Sequence, residues 1–143
     1  MADYTIFYTD DDEDDISIFT DAVDSIPRKI TLQTYSGGQK LLNAIFNPPT
    51  TPYVVFLDLN MPGKNGFDVL EELRGSNYDK DIPVVIYSTS SEPGIIEKCR
   101  TLGANGFITK PVLMNDIIKS IEHAIQIEWD KFVPTKSNFV LKF

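Results

Sequence analysis

Residues Tyr53 to Gly66 read YVVFLDLNMPGKNG: an unbroken apolar run, Tyr53 through Leu57, stops on the carboxylate of Asp58 and gives way to turn residues. A run without polar alternation suits a central parallel strand covered on both faces better than an antiparallel strand with one wet face. It follows the proline-rich loop Asn47 to Pro52 and is rich in β-branched and aromatic residues, which favours strand over a short buried helix. Asp58 is therefore expected at the carboxyl end of a buried strand, the place where open parallel sheets gather their ligands. Taken alone, an aspartate there serves as well for a helix N-cap or a turn.

Three other predicted strand ends carry matching chemistry. The run Tyr4 to Thr9 breaks into Asp10, Asp11 and Asp12; the run Ile82 to Tyr87 breaks into Ser88, Thr89 and Ser90; Phe107, Ile108 and Thr109 lead into Lys110 and Pro111. A further strand, Lys29 to Tyr35, alternates Ile30 and Leu32 with polar neighbours, as a strand with one exposed face would. Between the strands apolar residues return at helical spacing: Ile16, Phe19, Val23 and Ile26; Leu41, Leu42, Ile45 and Phe46; Phe67, Leu70 and Leu73; Ile95, Ile96, Cys99 and Leu102, closed by Gly103; and finally Ile117, Ile118, Ile121, Ala124, Ile125 and Trp129. Strands alternating with single helices predict an α/β fold: a doubly wound five-stranded parallel sheet with right-handed crossovers and helices on both faces.

The chain has 143 residues, 42% of them hydrophobic, enough for one domain with a substantial core. A domain over 1–129 is expected, with 130–143 as a C-terminal tail and no separate output domain. That tail, apolar and aromatic at intervals around Pro134, is expected either to pack on the body or to dock on a partner. The formal net charge of −8, with no Lys/Arg cluster, argues against direct nucleic-acid or anionic-membrane binding. With no signal pattern and no apolar run of spanning length, a soluble, cytoplasmic protein is expected. Cys99, the only cysteine, reads as core packing, and His123, the only histidine, as a solvated residue of the last helix.

An acid pair, an Asp followed by Met61-Pro62-Gly63, a Ser or Thr, and then Lys-Pro, at these spacings, resembles the receiver domain of two-component response regulators over roughly Tyr4 to Trp129. The likeness is to the stand-alone type, similar to the chemotaxis response regulator. It implies the flavodoxin-like strand order 2-1-3-4-5 and a phosphoacceptor role for Asp58. Mg²⁺ would be held by Asp10, Asp11, Asp58 and the backbone carbonyl of Asn60, with Lys110 as the charge that meets the phosphoryl group and a cis Lys110–Pro111 bond. Ser88 would be the switch hydroxyl and Phe107 the aromatic switch position, a Phe where many relatives have Tyr. Asp12 to Asp15 read as helix-start or solvated acids. The implied partners are a histidine kinase or histidine phosphotransfer protein as donor, and a downstream protein target on the face of the fourth helix, fifth strand and fifth helix.

Two other readings compete. An aspartyl-phosphate phosphatase would also use a strand-end Asp, but the acid/base Asp expected two residues on is Asn60 here. A phosphorylation-independent docking domain would not need the complete set of site residues.

Overall fold

The computed structural model describes residues 3–143. Strands and helices alternate along the chain: β1 (Tyr4–Thr9), α1 (Glu13–Asp24), β2 (Ile30–Tyr35), α2 (Gly38–Ile45), β3 (Tyr53–Leu57), α3 (Gly66–Leu73), β4 (Val84–Ser88), α4 (Pro93–Thr101), β5 (Gly106–Thr109) and α5 (Met114–Gln126). All pairings are parallel and the order is β2-β1-β3-β4-β5, so the YVVFL run is the central strand, as its lack of alternation predicts. Strand β2, which alternates, lies at an edge and is half exposed along its length.

Side chains on the two faces of the sheet form two apolar layers. One joins Phe7, Val55, Leu57, Ile86 and Phe107 to α2, α3 and Cys99 of α4; the other joins Ile6, Tyr8, Phe56, Val85 and Ile108 to Phe19 of α1 and to Ile117 and Ile121 of α5. Because successive strand residues point to opposite faces, each strand feeds both layers. Tyr8, Phe19, Phe56 and Tyr87 pack ring to ring in the second layer, with Tyr8 stacked on Phe19 at 4.0 Å between centroids.

Local chemistry fixes the helix ends. Asp12 is the N-cap of α1, its carboxylate accepting from the backbone N–H of Asp14 and Asp15. Asn65 and Asp68 form a reciprocal capping box at the start of α3. Gly66, which follows, is pressed so close to the end of β3 that a Cβ there would lie 2.6 Å from the Asp58 carbonyl oxygen. Helix α4 ends at the residue before Leu102, and Gly103 takes the left-handed conformation (φ 101°) expected of it.

At the opposite end of the sheet from these caps, the half-buried Arg74 donates to the carbonyls of Gly103 and Ile82 and to Oδ1 of Asn105, each at 2.9 Å. Asn105 Oδ1 also accepts from the N–H of Val84 at 2.9 Å, so one arginine ties the entrance of β4 to the entrance of β5.

One expectation about the helices needs correction. Helix α5 stops at Gln126, short of Trp129, whose indole N–H folds back to donate to the Ala124 carbonyl at 3.1 Å and so caps the helix it was expected to continue. Helix α4 opens on Pro93, where the fixed φ of proline suits the helix start. The tail packs back on the body. Phe107 N–H donates to the Phe139 carbonyl and Leu141 N–H to the Phe107 carbonyl, both at 2.9 Å, and a parallel bridge pairs Phe107 with Val140 along the outer side of β5.

Candidate functional site

Every strand end singled out in the sequence opens on the same edge of the sheet. Strand β1 delivers Asp10 and Asp11, β3 delivers Asp58, β4 ends on Ser88, and β5 is followed by Lys110. The β1–β3 register places Thr9 beside Leu57, and the N–H of Asp58 donates to the Thr9 carbonyl at 3.1 Å, which locks the two acidic ends side by side.

Asp10 is almost fully buried (1% exposed), and its carboxylate accepts three hydrogen bonds. Oδ2 accepts from the Tyr8 hydroxyl at 2.6 Å and from Lys110 Nζ at 2.7 Å, and Oδ1 accepts from the Asp12 N–H at 3.0 Å. Tyr8 is on β1 and Asp10 follows its last residue, so the two, at i and i+2, share a face, the one feature by which the sequence could have shown the Tyr8 contact. That contact, together with burial, drives the Tyr8 phenol far above its usual range, so it remains a hydrogen-bond donor.

Lys110 Nζ is the hub. It donates to Asp10 Oδ2 at 2.7 Å and Asp15 Oδ2 at 2.9 Å, and lies 3.5 Å from Asp58 Oδ1. Burial pulls its pKa down, but the hydrogen bonds it donates to Asp10 and Asp15 outweigh that and hold it above the ordinary lysine value, so the amine stays charged. Asp15 was expected to be a helix-start or solvated acid; it does stand in the first turn of α1, and it is in addition a direct partner of this amine. The run Asp10 to Asp15 hides it, since nothing in a string of acids says which one a helical turn aims back at the sheet. The Lys110–Pro111 bond, implied to be cis, is trans: no cis peptide bond occurs among the described residues, and the amine reaches its carboxylates from the ordinary isomer.

Asp58 is 4% exposed, and burial pushes its carboxyl up to about 6, against the pull of Lys110 and helped by the charges of Asp10 and Asp11. Carboxylate oxygens of Asp10, Asp11 and Asp58 lie within 4.8 Å of one another, a cluster able to bind a metal ion. The chemistry of the set fits a hard divalent cation: all donors are carboxylate oxygens, and three carboxylates stand beside the single amine of Lys110. Asp11 is exposed and free to turn toward such an ion, and Asn60 is exposed just past Asp58.

Ser88 is fully buried at the end of β4, its Oγ accepting from the Ser90 N–H at 3.2 Å while its carbonyl accepts from the Lys110 N–H at 2.8 Å. Phe107 is also fully buried, in the layer with Cys99, its ring 6.3 Å from that of Phe139. His123 is half-buried in the last turn of α5, near the tail. Beside the mouth a cleft is lined by Ile18, Tyr87, Lys110, Pro111 and Val112. Val112 in its lining is 93% exposed, and the next residue, Leu113, is 67% exposed.

Comparison with known proteins agrees with this geometry. The family model for the response regulator receiver domain matches residues 6–122. The chain belongs to the response regulator receiver family. The two-component response regulator ORR4 of rice (Oryza sativa subsp. indica) is 40% identical over 73 residues, which is 51% of this chain and 32% of that relative. This chain thus matches about a third of that relative's length. Among solved structures, the phosphorylated cyanobacterial phytochrome response regulator RcpA superposes with a TM-score of 0.73 at 26% identity, covering 91% of this chain and 96% of that one. RPA3017, a response regulator in red light signalling of R. palustris, gives a TM-score of 0.75 at 26% identity over 92% of this chain and 99% of that one. The five-stranded order and the receiver identity expected from the sequence are both borne out. Among the described residues no helix is long and apolar enough to cross a membrane.

Proposed function

We propose that this receiver accepts a phosphoryl group on Asp58 from the phosphohistidine of a partner kinase or phosphotransfer protein, with Mg²⁺, and that the modification switches a protein-binding face. The observation that carries the reading is Asp58 itself: a buried strand-end carboxylate with a charged amine at 3.5 Å and the carboxylates of Asp10 and Asp11 clustered with it.

In the transfer an Asp58 oxygen attacks phosphorus, the phosphorus–nitrogen bond of the donor breaks, and its electron pair returns to the imidazole, which takes up a proton. The product is an acyl phosphate. Such transfers need positioning and charge neutralisation more than acid–base chemistry. Asp10, Asp11, Asp58 and the Asn60 carbonyl would hold Mg²⁺, which when bound supplies positive charge to the phosphoryl oxygens. Lys110 supplies the other positive charge; to meet a phosphoryl group on Asp58 its amine exchanges the Asp15 contact, the more exposed of its two hydrogen bonds, for a phosphoryl oxygen. The Ser88 hydroxyl, which accepts from the Ser90 N–H, donates its own proton to the same group, drawing the end of β4 toward Asp58. That RcpA was crystallised in a phosphorylated form supports the reading.

A protein donor must seat its phosphohistidine over this mouth, so its contact surface must border it. The exposed apolar residues Ile18, Val112, Leu113 and Met114 are suited to that contact. No acidic residue stands where a hydrolase's second aspartate would, since that position is Asn60. Incubation with Mg²⁺ and acetyl phosphate followed by intact mass tests the proposal. The parent gains one phosphoryl mass and Asp58→Asn does not; a phosphorylated Asp58→Asn protein would remove Asp58 from the acceptor role.

A further inference from the structure

Among the groups that hold Asp10, the Tyr8 phenol comes from the apolar core and not from the mouth of the site. Tyr8 is fully buried; its ring stacks on Phe19 of α1 at 4.0 Å and meets Tyr87 of β4 edge-on at 5.8 Å. A ring packed between two other rings has little freedom, so its hydroxyl is a donor fixed in space. That donor goes to Oδ2 of Asp10 at 2.6 Å, the same oxygen that accepts from Lys110 Nζ at 2.7 Å. The aromatic packing itself does not call for the hydroxyl, since a phenylalanine would stack on Phe19 equally well.

Asp10 is the pivot of the lysine. The amine of Lys110 sits at the end of a flexible stem and donates to two carboxylates, Asp10 and Asp15. Once it gives up Asp15 for a phosphoryl oxygen, Asp10 is the carboxylate that still fixes it near Asp58, and its placing is no better than that of Asp10 Oδ2. The terminal torsion of an aspartate is broad, so the carboxylate turns unless its oxygens are held. Tyr8 holds Oδ2, and the Asp12 N–H holds Oδ1 at 3.0 Å. Both supports are fixed by α1, Asp12 as its N-cap and Tyr8 through the stacked Phe19. A carboxylate has roughly four acceptor sites. Tyr8 and Lys110 take those on Oδ2 and Asp12 takes one on Oδ1, which leaves the other Oδ1 site for a cation.

We propose that Tyr8 is a positioning residue of the phosphoacceptor site: its phenol locks the Asp10 carboxylate, which in turn keeps the Lys110 amine within reach of Asp58. Its effect on transfer rests on the phosphoacceptor reading, whereas its hold on Asp10 and Lys110 needs neither metal nor phosphate and is tested without them. Tyr8 touches no reacting atom, so it acts on the rate of transfer and not on capture of the donor. Such support matters because misplacing a reacting group by about 1 Å costs up to ~100-fold in rate.

The test compares Tyr8→Phe with Tyr4→Phe in the full chain. Tyr4 is on the same strand and in the same apolar layer and is also buried, but has no contact with Asp10, so any effect of losing a buried phenol hydroxyl as such appears in both variants. Without metal or phosphate, heteronuclear NMR follows exchange of the Lys110 ammonium protons with water. Exchange should be at least about threefold faster in Tyr8→Phe than in the parent and unchanged in Tyr4→Phe. With saturating Mg²⁺, phosphorylation by acetyl phosphate is then followed by intact mass over a range of donor concentrations. Tyr8→Phe should reach the same single phosphoryl mass at a maximal rate about tenfold lower, with the half-saturating donor concentration within twofold of the parent's. Tyr4→Phe should match the parent within twofold in both. A maximal rate within twofold of the parent's in Tyr8→Phe overturns the proposal, as does unchanged Lys110 exchange. Equal losses in Tyr4→Phe overturn it by making the effect one of packing, and a changed half-saturating concentration at constant maximal rate overturns it by giving Tyr8 a part in donor access. A parent that gains no phosphoryl mass removes the acceptor reading, while Lys110 exchange still decides whether Tyr8 holds the amine.

Discussion

Replacing Asp58 by Asn should make the metal-free protein more stable, in a way that depends on pH. Burial, the largest cause, together with Asp10 and Asp11 raises the Asp58 carboxyl from 3.8 to about 6 in spite of Lys110, so the folded state prefers it protonated. A folded pKa above the unfolded one means that the ionised group opposes folding. The cost is fully present above about pH 6, shrinks as pH falls through that value, and is gone below the unfolded value near 4. Two pH units of displacement correspond to about 3 kcal/mol near pH 7 and roughly half of that near pH 5. The Asn side chain must still find hydrogen-bond partners in the buried mouth, which reduces the gain to about 1–2 kcal/mol. For a chain of this size that is a rise in Tm of about 4–8 °C. The assay is thermal unfolding of parent and variant at pH 7.5 and pH 5 in EDTA, then with Mg²⁺. Added Mg²⁺ at about ten times its Kd should return about 1.4 kcal/mol to the parent and narrow the gap. A variant no more stable than the parent at pH 7.5, or a gain that grows toward pH 5, would refute the electrostatic account of the site.

Other consequences are more direct. Asp11→Ala should weaken Mg²⁺ binding at least tenfold by calorimetric titration, while Asp14→Ala, outside the acidic cluster, leaves it within twofold. Asp15→Ala removes one of the two hydrogen bonds on Lys110 and should speed phosphorylation by acetyl phosphate, since the amine no longer has to leave Asp15; a slower reaction would mean that Asp15 positions Lys110 for the transfer. Val112→Asp should slow phosphotransfer from a protein donor while leaving the acetyl phosphate rate unchanged, and equal slowing of both would move the donor contact elsewhere. Gly66→Ala forces a Cβ to 2.6 Å from the Asp58 carbonyl and should cost about 1–3 kcal/mol in urea unfolding, with a matching loss of phosphorylation rate as the end of β3 shifts.

The strand ends were legible because a parallel sheet buries its strands completely, so each apolar run stops abruptly at its carboxyl end, and the polar residue at the stop is a candidate site residue. Asp58, Asp10, Ser88 and Lys110 all stand at such stops. Asp15 was not legible, because its role comes from a helical turn facing a strand end some 95 positions away in sequence. The path of the tail was hidden for a similar reason. Pro134 breaks any periodicity, and Phe139 and Leu141 plug opposite layers, so neither a strand nor a helix pattern appears. Trp129 looked like one more helical apolar residue, and only the fold shows its ring turned back to the Ala124 carbonyl.

Arg74 gives the domain a mechanical asymmetry. Its guanidinium ties Ile82, Gly103 and Asn105 together at the end of β4 and β5 remote from Asp58, and Asn105 passes the restraint on to Val84. With their entrances bolted to one planar group, these two strands have a fulcrum. If phosphate draws on Ser88 at the free end, as proposed above, β4 and β5 would tilt about that point, with a displacement that grows with distance from the arginine. The outer face of β5 near Thr109 would travel furthest, and a chain that loses this fulcrum should still take up phosphate while the tilt is dissipated before it reaches the surface.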